Sequence, residues 1–479
     1  MDATPASTLT DDDRRRIVIG VLLAMSLAAL DQTIVSPAVP AIRAALHDDV
    51  YFPWIVSAYF LTATAVTPLY GKIADIHGRR GAIFAGIALF TAGSVLCALS
   101  ENMLTMILAR GLQGMGGGGL IALAQTVIAD IVAPRERGRY VVYITTIWAT
   151  SSIAGPILGG FLSEYVHWSL IFWINLPLAG AAYLMTSRTL LKLPQIRRDH
   201  SLDYPGALTL VTATVCLMLA LTWGGTRYSW SAAPILALLA ASALFAGLFF
   251  WRLASARAPL VPLSVLANPV IRFGTLTIFF VMGSNIALST YLPLYFETKF
   301  GFDSAEAGSA LVVMLAGTVL GANTSGRYMA RVTHYKRIAL GGLGVAALAT
   351  LAFAATVGML SLVQTLALTA LIGVGVGTVF PIVTVSVQNA VRGPDLGITT
   401  AAMAFLRSLG STIGVAVLGA VLAGSGVAAA GRAAAGGLAD RGFSLAFGVA
   451  AVAMALGFIL LWWMEEKPLR GRDMPAPEA

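Results

Sequence analysis

Long apolar runs separated by short polar stretches extend over nearly the whole chain. They fall at 17–42, 52–71, 81–99, 103–131, 139–162, 167–190, 204–223, 232–252, 271–296, 306–330, 337–357, 361–390, 399–423 and 443–463, fourteen in all. A run of about 18 apolar residues suffices for a helix to cross a bilayer. Inside lipid every backbone N–H and C=O needs an internal partner, which leaves helices or closed barrels. The runs are rich in Leu, Ala, Val and Gly and lack the period-2 alternation of barrel strands. The pattern therefore predicts an all-α integral membrane protein with 14 transmembrane helices.

Composition agrees with that pattern. Of 479 residues, 57% are hydrophobic and 11% charged, with a mean hydropathy of +0.81. The polar start, up to Arg16, precedes an apolar run too long for a signal peptide, so the first helix is expected to stay as an anchor. Cys97 and Cys216 each sit deep in an apolar run and read as small core residues, with no disulfide or metal site expected.

The net charge of +8 and pI near 9.6 raise the question of nucleic-acid binding. With the N-terminus inside, 24 of the 31 Lys and Arg fall in cytoplasmic segments, 5 outside (Arg43, Arg227, Lys299, Arg432, Arg441) and 2 within spans (Arg110, Arg407). Positive loops stay in the cytoplasm, so both termini are expected there. The basic surplus serves topology, and it lacks the clustered patch with interleaved aromatics of a nucleic-acid surface.

An internal repeat follows from spacing. Residues 71–80 read Gly-Lys-Ile-Ala-Asp-Ile-His-Gly-Arg-Arg, a charged island between two apolar runs, and Gly155-Pro156-x-x-Gly159-Gly160 begins 84 residues after Gly71. In the second half Gly326 opens a degenerate island, and Gly410 of Gly-Ser-Thr-Ile-Gly414 lies 84 residues later; both pairs are offset by 255. A parallel repeat implies two six-helix lobes with a binding site near the midplane between them. The expected organisation is an N-terminal tail at 1–16, an N-lobe at 17–190, an inserted helix pair with flanking linkers at 191–270, a C-lobe at 271–463 and a C-terminal tail at 464–479.

The island at 71–80 resembles the cytoplasmic loop signature between helices 2 and 3 of the major facilitator superfamily of secondary transporters. The Gly155-Pro156 phrase resembles the fifth-helix signature of its antiporters, and fourteen spans with a central inserted pair look like its drug:proton antiporter branch. Further phrases extend the resemblance over residues 17–463: Leu30-Asp31-Gln32-Thr33-Ile34-Val35, Leu108-Ala109-Arg110-Gly111-Leu112-Gln113-Gly114, Phe172-Trp173-Ile174-Asn175-Leu176-Pro177 and Arg407-Ser408-Leu409-Gly410. Departures are Ile76 where the family usually has Arg, Ser151 where it usually has Gly, and the absence of a proline within Leu311-Val312-Val313-Met314-Leu315. The resemblance implies a major facilitator fold: two pseudo-symmetric six-helix lobes plus two inserted linker helices.

Candidate chemistry concentrates in a few residues. Asp31 lies about 11 residues from the outer end of its run, some 16 Å deep at about 1.5 Å per residue. A carboxylate at that depth is costly unless it faces a cavity or a partner. Burial raises a carboxyl pKa and a nearby cation lowers it, so Asp31 is the expected proton carrier. Arg110, at similar depth, is expected to hold it ionised until a proton or a cationic substrate loosens the pair. Glu297, near an outer helix end, is a further candidate for proton handling.

Asp31, Tyr59, Gln125, Trp148, Asn175, Asn285, Tyr291, Gln388 and Phe405 are expected to line a substrate cavity, because rings and sparse amides in apolar helices suit an amphipathic cation. Gly71, Asp75, Gly78, Arg79, Arg80 and Arg407 are expected to form a cytoplasmic gate, with Asp75 meeting a helix N-terminus or an Arg across the lobe interface. For Arg407 the alternative is contact with an anionic substrate group. Gly155, Pro156, Gly159 and Gly160 are expected to bend helix 5 and pack it against the helix carrying Gly410 and Gly414. Gly114 and Gly116 to Gly119 are expected to serve close packing, since no Lys-Ser/Thr follows to make a phosphate loop.

These residues, read with the resemblance, predict proton-coupled efflux of small hydrophobic, cationic drugs or toxic compounds by alternating access across a bacterial cell membrane. The alternative is export of a specific endogenous metabolite, lipid or antibiotic. Expected partners are a small-molecule substrate, protons and the lipid bilayer, with no nucleic acid, no cofactor and a monomeric state. A membrane enzyme or receptor is disfavoured because His47, His77, His167, His200 and His334 lie in loops or at span ends, giving no paired-histidine metal set.

Overall fold

The computed structural model describes residues 10–48, 51–187, 190–192, 203–225, 227–256, 259–329, 331–332, 334–391, 395–425 and 437–469. The ends of both expected tails, the 193–202 linker and Arg432 lie outside the described residues. The chain forms helices α1 (Asp11–Leu46), α2 (Trp54–His77), α3 (Arg79–Ala98), α4 (Met103–Ile131), α5 (Pro134–Tyr165), α6 (Leu170–Trp173), α7 (Asn175–Ser187), α8 (Tyr204–Trp223) and α9 (Ala233–Ser255). They continue with α10 (Leu263–Ala267), α11 (Pro269–Phe300), α12 (Ser304–Met329), α13 (Lys336–Thr356), α14 (Leu362–Asn389), α15 (Leu396–Gly424) and α16 (Gly437–Trp463).

Thirteen segments, with α6 and α7 counted as one, are long and apolar enough to cross a membrane. The fourteenth expected span is α2, made more polar by Ser57, Tyr59, Thr62, Thr64, Thr67 and Tyr70. Large apolar side chains such as Leu104, Leu184, Leu208, Trp251, Leu348 and Trp462 are exposed on the outside of the bundle, as lipid contact requires.

Two boundaries differ from the apolar runs. α1 starts at Asp11, inside the expected tail, because the Thr10 side chain accepts a hydrogen bond from the Asp13 amide at 3.2 Å and caps it. The run at 167–190 breaks at Ile174 into α6 and α7; Pro177 has no N–H to return to the Trp173 carbonyl, so the helix cannot pass through unbroken.

The repeat is visible in which helices touch. In the first half α1 packs on α5, and α2 and α3 pack on α4; in the second, α11 packs on α15, and α12 and α13 pack on α14. Between halves α2 meets α15 and α12 meets α5. Glycines offset by 255 occupy matching places. Gly71 abuts Gly397 and Ala401 of α15, while Gly326 abuts Gly138 of α5.

Gly155 and Gly159 press on Thr33 and Ile34 of α1, and Gly410 and Gly414 press on Phe279 and Gly283 of α11. This corrects the expected α5–α15 seam. Each small-residue stripe joins a helix to the first helix of its own half, where backbones approach too closely to admit a Cβ.

Helices α8 and α9 pack on each other and lay α8 against α2 and α15, the seam between halves. Arg252 and Asp203 pair at 3.0 Å across one end, and Trp54 meets Trp223 edge-on at 5.9 Å at the other. Successive spans alternate in direction, so the bundle has an island face, where α2 meets α3, and a distal face, where α1 meets α2.

Candidate functional site

Five helices converge on Asp31. Its Oδ2 accepts from Arg110 Nη1 at 2.7 Å, and its Oδ1 accepts from Gln113 Nε2 at 2.8 Å and Asn175 Nδ2 at 3.4 Å. Arg110 also donates to Gln113 Oε1 at 2.6 Å and, through Nε, to the Ile55 carbonyl at 2.8 Å. Ser94 Oγ accepts from both amides, at 2.7 and 3.1 Å. The Tyr59 ring centroid lies 4.5 Å from the Arg110 guanidinium carbon and that of Phe172 5.8 Å. Asp31 is 0% exposed and Arg110 1%. A buried ion pair offsets its desolvation only when further hydrogen bonds satisfy the remaining polar atoms, and this cluster supplies them.

The structure brings together Asp31 and Arg110, and adds Tyr59 and Asn175, which the sequence had suggested for the cavity. Gln113 and Ser94 escaped notice. The signal for Gln113 was its position three residues after Arg110, which places both on one helix face. Glu297 is half-buried near the end of α11 and belongs neither to this cluster nor to the cavity wall.

At the island face, Asp75 links the halves. Its Oδ2 accepts from the Ile398 amide at 3.0 Å, in the first turn of α15, and its Oδ1 pairs with Arg79. Burial pushes the Asp75 carboxyl up, and Arg79 and the unpaired N–H groups of the helix start oppose that in part. Arg79 Nε reaches Asp130 Oδ2 at 2.9 Å, a partner that sequence reasoning passed over. Gly78 turns the chain between α2 and α3 at φ 88°, a conformation open to glycine. Arg80 points elsewhere, its guanidinium carbon 5.1 Å from the Phe84 ring centroid.

A cavity of about 990 Å³ occupies the middle of the bundle. One stripe of α15, from Ala404 to Ala423, faces it, opposite α2 residues from Val56 to Thr67. Within the wall, toward its island-side end at Thr67 and Ala404, Thr64 Oγ1 and Ser408 Oγ meet at 2.9 Å across the halves. Above, the wall runs to Leu294 and Ala423 near helix ends and to Trp230 in the α8–α9 turn. The cavity therefore extends toward the distal face while the island face is held shut.

Among the residues expected to line this space, Trp148, Asn285 and Tyr291 do. Asp31, Tyr59, Gln125, Asn175, Gln388 and Phe405 are not in the wall; Gln125 is buried in α4, and Gln388 donates to Thr400 at 3.5 Å. Polar residues mark buried helix faces generally, so residue type alone could not separate the cavity from the cluster beside it. Met218, Leu221 and Thr222 of α8 enter the wall without any sequence signal.

The wall's charge corrects a second expectation. Among the described residues it contains no Asp or Glu, and Arg407 is its one charged side chain. Arg407, expected at the cytoplasmic gate with an anionic substrate group as the alternative, lines the cavity instead of joining the Asp75–Arg79 contacts; it lies eleven residues, about 16 Å at about 1.5 Å per residue, past the start of α15 at Leu396. Its guanidinium carbon stands 5.6 Å from the Phe380 ring centroid.

Comparison with known proteins bears on this architecture. An uncharacterized MFS-type transporter of Mycobacterium tuberculosis is 32% identical over 411 residues, 85% of this chain, and the chain spans 59% of that relative's length. The multidrug transporter protein MdtP of Bacillus subtilis is 32% identical over 407 residues, covering 85% of this chain and 75% of its own. The solved structure of a proton:xylose symporter superposes with a TM-score of 0.66 at 12% identity, over 96% of this chain and 98% of that one, which shows the fold. The family profile described as Major Facilitator Superfamily matches residues 21–415. With two halves built from the same helix pairs around a central cavity, and with that match across most of its length, the chain belongs to the Major Facilitator Superfamily, a family of transporters and not of enzymes.

Proposed function

We propose that the protein is a proton-coupled exporter of small hydrophobic compounds, working by alternating access in the cell membrane with both termini cytoplasmic. The observation that carries this reading is the central cavity, shut on the island face by contacts between halves and reaching toward the other. On the positive-inside reading the island face is cytoplasmic, so the described arrangement faces outward. Rocking the halves about the cavity requires the Asp75–Ile398 and Thr64–Ser408 contacts to break and the distal ends to close. The names of the relatives, a multidrug transporter among them, favour efflux.

Asp31 is the proton carrier in this reading. Its carboxylate accepts from Arg110 and from the Gln113 and Asn175 amides, and a proton arriving there would release Arg110. Asp31 lies outside the wall, but the next residues, Gln32 and Thr33, are part of it, and Thr33 also donates to the Ser151 carbonyl of α5 at 2.7 Å. A change in charge at Asp31 thus reaches the wall through one turn of α1. The cationic preference expected from the sequence is dropped, because among the described residues the wall offers no acid to meet a cation.

The test is Asp31→Asn in proteoliposomes with an imposed pH gradient. The variant keeps the side-chain shape and is expected to bind substrate but lose gradient-driven accumulation, by about 100-fold or more. Uphill transport equal to that of the unaltered protein would reject the assignment.

A further inference from the structure

Resting on the export reading above, we infer that the transported compounds are small apolar organic anions, and that Arg407 is the counter-ion that receives their carboxylate or sulfonate. The inference comes from the charge balance of the wall. Arg407 has no ion pair among the described residues, and its guanidinium has no hydrogen-bond partner there; its one neighbour of note is the Phe380 ring. A charged side chain at this depth in lipid is costly, and the usual reason for its presence is a pathway or a ligand.

The surroundings fit one end of such a ligand. A ring beside the guanidinium leaves the planar fork of N–H donors free to grip a carboxylate with two parallel bonds. On the same stripe the Ser411 and Thr412 hydroxyls donate to the Arg407 and Ser408 carbonyls, which leaves the guanidinium and the Ser408 hydroxyl as the groups that can turn to an anion. The rest of the wall suits an apolar body, with Leu61, Ile121, Trp148, Leu311 and Leu315 facing the space. An organic cation entering it meets a like charge and no acid, which discriminates against it.

Position ties binding to movement. Ser408, next to Arg407, forms the side-chain bridge to Thr64 across the two halves. A head group drawn to Arg407 arrives beside that bridge, where it competes for the Ser408 hydroxyl and loosens the hold of α15 on α2.

Three probes sharing one ring system separate charge from size: 1-naphthoate, 1-naphthylmethylamine and 1-naphthalenemethanol, radiolabelled. Equilibrium binding to the full chain in detergent is expected to favour naphthoate over the amine by at least about 10-fold. Arg407→Gln should lower naphthoate affinity by about 10- to 100-fold and shift the alcohol less than about 3-fold, while Arg407→Lys should recover part of the naphthoate binding. Tighter binding of the amine, or naphthoate binding indifferent to Arg407→Gln, overturns the inference.

Uptake by proteoliposomes under a pH gradient separates this from the export reading. Arg407-dependent naphthoate binding without gradient-driven movement would sink proton-driven export and leave the anion site standing. Gradient-driven movement of the amine alone would do the reverse.

Discussion

Two arginines lie inside the membrane spans, and the structure treats them in opposite ways. Arg110 is locked: its guanidinium meets Asp31, Gln113 and the Ile55 carbonyl, between the rings of Tyr59 and Phe172. Arg407 faces an open cavity with one ring beside it and, among the described residues, no carboxylate in the wall. Arg110 is removed from water altogether, and Arg407, half-buried at the cavity wall, only in part. In the first case the protein offsets the cost with its own groups, and in the second the offset is left for something that comes and goes. A fully partnered charge holds a structure, and an unpartnered one selects a guest.

Substitution at each arginine can break this contrast. Arg110→Ala leaves the buried Asp31 carboxylate without its cation, met only by the Gln113 and Asn175 amides, and the expected loss is about 3–5 kcal/mol of stability, read as a large fall in the thermal midpoint in detergent or failure to recover folded protein. A change as mild as that of a surface residue would mean the cluster does not hold the first half together. Next in size is Asp75→Asn, which keeps a hydrogen-bond acceptor at the start of α15 but removes the charge. It is expected to weaken the island-face contact by about 1 kcal/mol, seen as roughly fivefold faster hydrogen exchange at the α15 N-terminus. No change there would detach Asp75 from the closing of that face.

The smallest effect sharpens the comparison most. Arg407→Gln removes a charge with no ion-pair or hydrogen-bond partner among the described residues, so the thermal midpoint should move by less than the equivalent of about 0.5 kcal/mol, in either direction. A fall comparable to that of Arg110→Ala would show that Arg407 is structural after all.

Much of the architecture was legible in the sequence, because span length and loop charge obey constraints imposed by lipid. The repeat was legible too: Gly71 and Gly326, or Gly155 and Gly410, are matched in number and in place. Contact partners were not. The Gly155 stripe could have packed on any neighbour, since a missing Cβ says that something comes close without saying what. Asp31 and Arg110 were found by depth and charge, but their ring of amides was not, because Gln113 and Asn175 look alike whether they face a cavity or an ion pair. Arg407 was legible as a residue inside its span, but not the direction of its side chain: an apolar run does not show whether a residue turns to the island-face contacts or to the cavity.

The unpaired guanidinium has an electrical consequence. If one anion leaves for each proton that enters, both movements carry charge in the same sense, and two elementary charges cross per cycle. A voltage of 100 mV, negative inside, then contributes about 5 kcal/mol to each turnover, beyond what acidity outside supplies. Such a pump would keep working in a neutral medium so long as the cell stayed polarised, and a potassium ionophore would slow it when potassium is equal on the two sides and speed it when potassium is scarce outside.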